Sequence, residues 1–297
     1  MRVRKGRRLM RCAARMAVAQ VITFGLVMSP WMLGQQPELK SGTAGNSGAD
    51  RPSKETLTGE VLFAKVVEHN LKREANLKYY SVSRHYCAQD KNDKVRAELD
   101  AVVEFQAPGP KQFKVISQRG SSIVRRHVFG GLLNSETEAS KGKRHRDSSI
   151  TPANYVFEVV GKEEVDGHHC LVAKATPLRK DKYLFEGNVW VDATDFALVK
   201  IEGRPAKNPS FWIKKAGFVR RYQKIGDFWV PLQDVSVSQV RIVGKGTLTI
   251  EYHDYRILPT DGTKLPASKK GLGPVPPVVE IIRPGLQGET VHAPVHP

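Results

Sequence analysis

The residues best suited to metal chemistry are His168-His169-Cys170, which directly follow the turn signal Asp166-Gly167. Imidazole and thiolate groups are preferred zinc ligands. The triplet lies in a predicted strand, however, where successive side chains point to opposite faces, so the three groups are not expected to reach one ion. His253-Asp254 alternates in the same way. The pattern therefore predicts no metal site.

Nucleophiles and nucleotide-binding loops give no stronger signal. Ser210 and Ser236 lack the strand-to-helix setting of a nucleophile elbow. The chain contains no phosphate-binding loop, no dinucleotide fingerprint and no His-Glu-x-x-His sequence. The sequence therefore predicts a protein that is not an enzyme, with no catalytic residue and no cofactor.

Two of the three cysteines, Cys87 and Cys170, lie beyond the N-terminal segment. In an oxidising compartment two cysteines are candidates for a disulfide bond. Both fall on predicted strands, so a disulfide between neighbouring strands is one reading. A pair of free buried thiols is the other, and the sequence leaves both open.

The elements that position these residues are β-strands. Apolar and polar side chains alternate along 95–106 and along 183–192 and 196–203, which flank a short polar break. This period of two is typical of a sheet that is wet on one side and packed on the other. About ten antiparallel strands with two amphipathic helices predict a mainly β (α+β) fold, in which a strongly curved sheet forms an incomplete barrel with a helical lid.

A strand of eight residues spans roughly 26 Å, which matches the length of an extended acyl chain. An apolar concave face under movable helices is therefore long enough to hold such a chain. Burying a sixteen-carbon chain gains on the order of 12 kcal/mol at about 0.8 kcal/mol per methylene. A sheet that packs against a filled core shows the same alternation as one that lines a lipid groove. The tryptophans fit a core or a groove. The predicted groove lining comprises Leu99, Val103, Phe105, Phe157, Phe185, Val189, Trp190, Trp212 and Trp229.

The two ends of the chain differ in composition from the middle. Seven basic residues precede an apolar run over 16–34, which predicts a signal peptide over 1–34 or, alternatively, a retained anchor. Residues 35–53 are predicted to be a flexible leader, and residues 259–297, rich in Pro and Gly, a disordered tail. A single domain over 54–258 lies between them.

The charge predicts anionic partners. The formal net charge is +17, and without the seven basic residues of the N-terminal head 40 basic and 30 acidic side chains remain, a balance of +10. An anionic membrane surface is therefore one predicted partner, with the basic run 141–146 as its contact or as a solvated loop. Because acidic residues are interspersed among the basic ones, the charge fits a generally basic soluble protein equally well. Nucleic acid is not expected, since no recognition motif is present.

One motif carries a resemblance to a known family. The order of helix, strand meander, short helix and then Gly187-Asn-Val-Trp-Val-Asp192 resembles the LolA-like outer-membrane lipoprotein-sorting proteins of the LolA–LolB–RseB superfamily. Supporting stretches lie at 202–212, 222–231 and 249–255, so the resemblance covers 54–258.

The resemblance implies a fold, a ligand class and a location. It implies an incomplete barrel with a helical lid, located in the periplasm, that binds lipid acyl chains or lipoproteins without catalysis. An RseB-like envelope sensor or scaffold is the alternative that it implies. The Pro-rich tail departs from a simple carrier and no lipid-binding arginine is matched, so no individual functional residue is transferred. Oligomeric state is not predicted.

Overall fold

The computed structural model describes residues 57–139, 147–208, 213–241 and 244–261. Within these ranges helix α1 spans Gly59–Asn76. Helix α2 begins with Ser122–Val124, continues through the π-helical turn Arg125–Phe129 and ends with Gly130–Ala139. The strands are β1 Leu77–Gln89, β2 Val95–Gln106, β3 Gln112–Gly120, β4 Tyr155–Val165, β5 His168–Pro177, β6 Phe185–Asp192, β7 Leu198–Pro205, β8 Ile213–Ile225, β9 Phe228–Val240 and β10 Gly244–Pro259.

The described strands form one antiparallel sheet of ten, in the order β3-β2-β1-β10-β9-β8-β7-β6-β5-β4. The first and last strands in sequence meet in the interior of the sheet, where Tyr86 of β1 pairs with Ile250 of β10. Within the described residues β3 and β4 each pair with one strand, so the sheet has two edges and does not close. The predicted mainly β fold with an incomplete barrel is confirmed.

A pair of glycines allows β6 and β7 to approach each other closely. Gly187 and Gly203 are register partners. A Cβ atom on Gly187 would lie 2.0 Å from the carbonyl oxygen of Glu202, and one on Gly203 would lie 2.7 Å from that of Glu186. Glycine inside a strand marks a close backbone approach and a point where a sheet curls. The glycine that opens the motif at 187–192 is therefore a determinant of sheet shape.

Helix α1 lies directly on β4. The Thr58 hydroxyl accepts a hydrogen bond from the Val61 amide at 3.4 Å and caps the helix. A Cβ atom on Gly59 would lie 1.9 Å from the carbonyl oxygen of Phe157, so only glycine permits this contact. The apolar stripe of the helix faces the sheet, with Leu62, Phe63 and Val66 fully buried.

Helix α2 is the less regular of the two. The Ser121 hydroxyl accepts a hydrogen bond from the Val124 amide at 3.5 Å and caps the helix. The π-helical turn follows, and Gly130-Gly131 then continue the helix. Each glycine in a helix interior costs about 0.5–1 kcal/mol relative to alanine, and isolated π-turns often occur at functional sites. The local sequence therefore gives α2 little stability of its own.

The predicted signal or anchor (1–34) and leader (35–53) lie outside the described residues, as do residues 262–297 of the predicted tail. Among the helices that the structure describes, none combines the length and the apolar character needed to cross a membrane.

Candidate functional site

Both helices cover the same face of the sheet. Directly paired residues of neighbouring strands share a face. One such row crosses eight strands and contains Leu99, Tyr86, Ile250, Asp234, Arg220, Ile201, Val189 and Ala173. Its apolar members belong to two clusters, one under each helix, and the two charged residues lie between them.

The first apolar cluster lies under α1. The Phe63 ring stacks on the Phe157 ring of β4 with their centroids 3.3 Å apart. Tyr155 and Phe185 extend the aromatic contacts across the sheet, with their centroids 5.2 Å apart. Together with Leu62 and Val66 of the helix, these side chains form a continuous buried surface.

The second apolar cluster lies under α2. Val128, Phe129 and Leu132 are at most 2% exposed and pack against β1, β2 and β10. The Phe129 ring lies 6.0 Å from the ring of Tyr86, measured between centroids. The space that the concave face encloses is thus occupied by helix side chains in this state.

The residues predicted to line one groove fall into two groups. Leu99 and Val103 are buried in the cluster under α2, and Phe105 packs against it at the margin. Phe157, Phe185 and Val189 lie in the cluster under α1, and the buried residues contiguous with that cluster include Trp190 and Trp229. Trp212 lies outside the described residues. Their role in binding a ligand stays a prediction.

Trp190 differs from the other predicted lining residues because it follows Val189 in β6 and so points to the opposite face. Its indole nitrogen donates to the Glu163 carboxylate at 2.7 Å, and the Lys200 ammonium lies 4.1 Å from its ring centroid. Trp229 also has a polar contact, donating to Asp195 at 2.8 Å. The contacts of Trp190 fix it on the outer side of the sheet.

A buried charged pair separates the two apolar clusters. Arg220 donates to the two carboxylate oxygens of Asp234 at 2.5 and 2.9 Å, and both residues are 3% exposed. The Tyr252 hydroxyl donates to the same carboxylate at 2.7 Å. Three donors therefore converge on one buried carboxylate in the middle of the sheet. Burial raises the pKa of Tyr252 well above its ordinary value, and the Asp234 charge adds to that rise, so the hydroxyl keeps its proton and remains a donor.

A second buried charged group joins α2 to the sheet. Arg84 of β1 donates to the two Glu136 oxygens at 2.8 and 3.2 Å, and Lys111 donates to the same carboxylate at 2.9 Å. These three residues are 3–7% exposed. The guanidinium of Arg84 lies 4.9 Å from the Tyr252 ring centroid, so the two charged groups are contiguous.

The charges of this group determine its ionisation. Burial opposes the charged form of Glu136, but the Arg84 and Lys111 charges outweigh burial and hold the pKa of Glu136 well below its ordinary value. Burial also opposes the charged form of Arg84, and Glu136 reverses that effect, so the pKa of Arg84 is raised. Arg84 and Glu136 are therefore both ionised, and each depends on the other for compensation.

These charged residues were not singled out from the sequence, although a signal for them exists. After Leu77, the buried positions of β1 are Tyr80, Val82, Arg84, Tyr86 and Ala88, so a cation occupies the apolar phase of an alternating strand. Glu136 likewise continues the series Val128 and Leu132, which recurs every four residues along α2. A charged residue at a position where the periodicity predicts a buried apolar side chain is the sequence signal for a buried ionic group of this kind.

The structure has free thiols, one of the two readings that the sequence leaves open for the cysteines. Cys87 and Cys170 are both free. Cys87 lies on β1 and Cys170 on β5, six positions apart in the strand order, so they are not on neighbouring strands as a disulfide would require. Burial raises the pKa of the Cys170 thiol to about 11, which keeps it protonated and unreactive.

The described residues offer little for metal or nucleophilic chemistry. No group of three His, Cys, Asp or Glu converges among them. Ser117, Asp100 and His85 do meet on the sheet, where the Ser117 hydroxyl donates to Asp100 at 2.5 Å and His85 Nδ1 lies 2.7 Å from the same carboxylate. The carboxylate lies between the other two groups, so the arrangement differs from a catalytic triad, in which the histidine lies between the serine and the carboxylate.

Comparison with solved structures finds similar chains at low sequence identity. A DUF1329 family protein from Desulfovibrio piger matches over 67% of this chain and 93% of its own, at 14% identity and a TM-score of 0.36. A putative outer membrane lipoprotein-sorting protein domain from Vibrio parahaemolyticus matches over 65% and 92%, at 15% identity and 0.35. A LolA superfamily protein from Nitrosomonas europaea matches over 67% and 92%, at 10% identity and 0.32.

Sequence comparisons find no counterpart. No protein-family profile matches the chain, and no curated protein matches it. The structural similarities concern the fold.

Proposed function

We propose that the face under α2 binds the acyl chain of an anionic lipid or lipoprotein in exchange for the helix, and that the protein has no catalytic role. The observation that carries this proposal is a pair of buried cations, Arg84 and Lys111, beside an apolar cluster. Their counterion, Glu136, belongs to the helix that would move.

The hydrophobic burial that is lost when α2 leaves the sheet is recovered when an acyl chain takes its place. Lifting α2 exposes the side chains of Val128, Phe129 and Leu132 together with the sheet surface beneath them. Burying a side chain of this kind gains about 1.5–3 kcal/mol, so the three contribute about 5–9 kcal/mol. A sixteen-carbon chain that takes their place gains on the order of 12 kcal/mol gross. An acyl chain therefore replaces the helix contacts without a net loss of hydrophobic burial.

The charged part of the exchange selects the ligand. When α2 lifts, Glu136 leaves, and Arg84 of β1 and Lys111 of the loop before β3 lose their counterion. A buried charge without compensation costs several kcal/mol. A ligand that brings its own carboxylate or phosphate removes that cost, whereas a neutral lipid of the same chain length does not. We therefore expect a preference for anionic lipids.

A competition experiment tests this preference. The full chain is incubated with vesicles that contain equimolar hexadecanoate and hexadecanol, recovered, and analysed by native mass spectrometry. We expect hexadecanoate to be bound at least about tenfold over hexadecanol, since about 1.4 kcal/mol already gives that ratio. Protein that is recovered without either ligand, or with both in equal amounts, would contradict the proposal.

A matched variant separates the charge effect from the apolar effect. In the triple variant Arg84→Met, Lys111→Met and Glu136→Met the buried ionic group becomes apolar, a change that proteins often tolerate. This variant should retain an acyl-binding face and lose the preference, so that it binds the alcohol as well as the acid. A persisting preference for the acid in the variant would assign it to other residues.

Location in the periplasm is part of the proposal. Its support is the basic head and the apolar run at 1–34, which lie outside the described residues. In that compartment a lipid-binding protein meets the anionic headgroups of the surrounding membranes, with which the balance of +10 beyond the head is compatible.

A further inference from the structure

The turns at one end of the sheet are basic. Neighbouring strands are antiparallel, so the connections between them lie alternately at its two ends. Residues 90–94, 178–184, 206–208 and 241 belong to connections of the same end, which we call the basic end. These described residues include seven cations and three acids, namely Lys91, Lys94, Arg179, Lys180, Lys182, Lys207 and Arg241, with Asp90, Asp93 and Asp181. The basic end therefore carries an excess of positive charge.

The connections of the opposite end are acidic. Asp166, Asp195 and Asp227 lie in the β4–β5, β6–β7 and β8–β9 connections. Within the described connections of that end the cation is Lys111 of the β2–β3 loop, which is buried and bonded to Glu136. The two ends of the sheet thus differ in sign, which orients the domain in the field of an anionic surface.

Large apolar side chains are exposed at the basic end. Val95 at the start of β2 is 45% exposed, Ile123 of α2 is 40% exposed, and Leu178, directly after β5, is 55% exposed. The Ser121 amide donates to the Arg96 carbonyl oxygen at 2.8 Å, so the start of α2 lies beside the start of β2. Apolar side chains among cations are typical of surfaces that lie on anionic membranes.

The basic end is too wide for a single point of contact. A Cβ atom on Gly244 would lie 3.3 Å from the Lys91 Cδ atom, so the β1–β2 and β9–β10 turns are adjacent. The β5–β6 connection lies in the other half of the sheet, with β6 five positions from β1 in the strand order. At the spacing of neighbouring strands this is about 24 Å along the sheet. A membrane surface is extended enough to contact both groups of cations at once.

We propose that the basic end of the sheet docks on an anionic membrane surface, with Val95, Ile123 and Leu178 entering the headgroup layer. The choice of a lipid surface rests on the acyl binding proposed above, because a protein that takes up acyl chains obtains them from a bilayer. Helix α2 begins at this end, so docking brings the helix that would move to the membrane.

Lysine modification tests this orientation on the full chain. Three exposed lysines of the basic end are compared with three that lie toward the acidic end, namely Lys94, Lys180 and Lys207 with Lys78, Lys114 and Lys162. Acetylation by an N-hydroxysuccinimide ester is followed by mass spectrometry, without vesicles and with vesicles of phosphatidylcholine that contain about one third phosphatidylglycerol. The lysines of the basic end should react at least about threefold more slowly with these vesicles, and the other three at an unchanged rate.

Three outcomes overturn the proposal. Equal slowing of both sets, or slowing of neither, would show that the basic end does not face the bilayer. The same slowing by pure phosphatidylcholine vesicles would remove the role of charge. Slowing by polyglutamate as large as that by the anionic vesicles would assign the basic end to an acidic protein partner.

A charge variant with a matched control locates the contact. Each lysine near an anionic surface contributes about fivefold to binding, so Lys180→Gln with Lys207→Gln should abolish the protection of Lys94 by vesicles. The control, Lys114→Gln with Lys162→Gln, has the same net charge and should keep that protection. Protection of Lys94 that is equal in both variants would place the contact elsewhere.

The buried ionic group separates docking from acyl binding. The triple variant Arg84→Met, Lys111→Met and Glu136→Met should lose the preference for hexadecanoate and keep the vesicle protection of Lys94. Docking without uptake of hexadecanoate by the natural chain would refute the acyl-binding proposal alone. Uptake without protection of the basic end would refute the docking proposal alone.

Discussion

Replacing Asp234 with alanine should lower the free energy of unfolding by about 3–5 kcal/mol. The substitution leaves Arg220, which is 3% exposed, without its buried counterion, and it removes the acceptor of the Tyr252 hydroxyl. Neither group can reach water without opening the sheet between the two apolar clusters. Urea denaturation followed by tryptophan fluorescence measures the change.

An exposed pair on the same sheet provides the control. Arg204 and Glu186 form an ion pair at 3.0 Å, but their side chains are 64% and 42% exposed. Glu186→Ala should therefore change the free energy of unfolding by about 0–1 kcal/mol. Equal and small losses for both variants would show that the central pair contributes nothing beyond a surface contact.

The second large effect is expected at the glycine pair of β6 and β7. Gly187→Ala should destabilise the protein by about 3 kcal/mol, because the new Cβ atom would lie 2.0 Å from the Glu202 carbonyl oxygen and 2.5 Å from the Gly203 Cα. Both obstructing atoms belong to the backbone, so the strands themselves must separate. Thermal unfolding followed by circular dichroism measures the loss.

Gly161 in β4 is the matched control for this substitution. A Cβ atom placed there meets no atom within 4 Å. Gly161→Ala should therefore leave the stability within about 0.5 kcal/mol or raise it by up to about 1 kcal/mol, since alanine restricts the unfolded chain. A Gly187→Ala variant as stable as Gly161→Ala would mean that the sheet accommodates a side chain at the bend.

Much of the architecture was predictable because the residues alternate strictly. The run 95–106 predicted β2 at its observed bounds, and the alternation along Val95–Gln106 is visible in its burial. The strand order was not predictable, since the pairing of β1 with β10 joins segments that are far apart in sequence. The alternation shows which face of a strand is apolar but does not identify its neighbour.

The candidate site was predictable only in its apolar part. The alternation along 183–192 predicted an apolar face, and Phe185 and Val189 of that run are buried in the cluster under α1. The ionic group was missed because Arg84, Lys111 and Glu136 come from three separate elements. Their proximity depends on the tertiary placement of α2, which no local pattern encodes.

The sensor or scaffold alternative requires a protein partner, and no contact among the described residues favours or opposes it. It stays a prediction of the sequence resemblance. A sensor and a carrier would share the acyl-binding face proposed above and would differ in what the moved helix exposes. Release of α2 is therefore the step common to both.

Competition between α2 and an acyl chain for one face is tested most directly by hydrogen exchange on the full chain with and without saturating hexadecanoate. Amides of Gly130–Ala139 should exchange faster when the ligand is bound, because the helix has left the sheet. Amides of α1, Gly59–Asn76, should keep their protection. Bound ligand with unchanged or increased protection in α2 would contradict the exchange of helix for lipid.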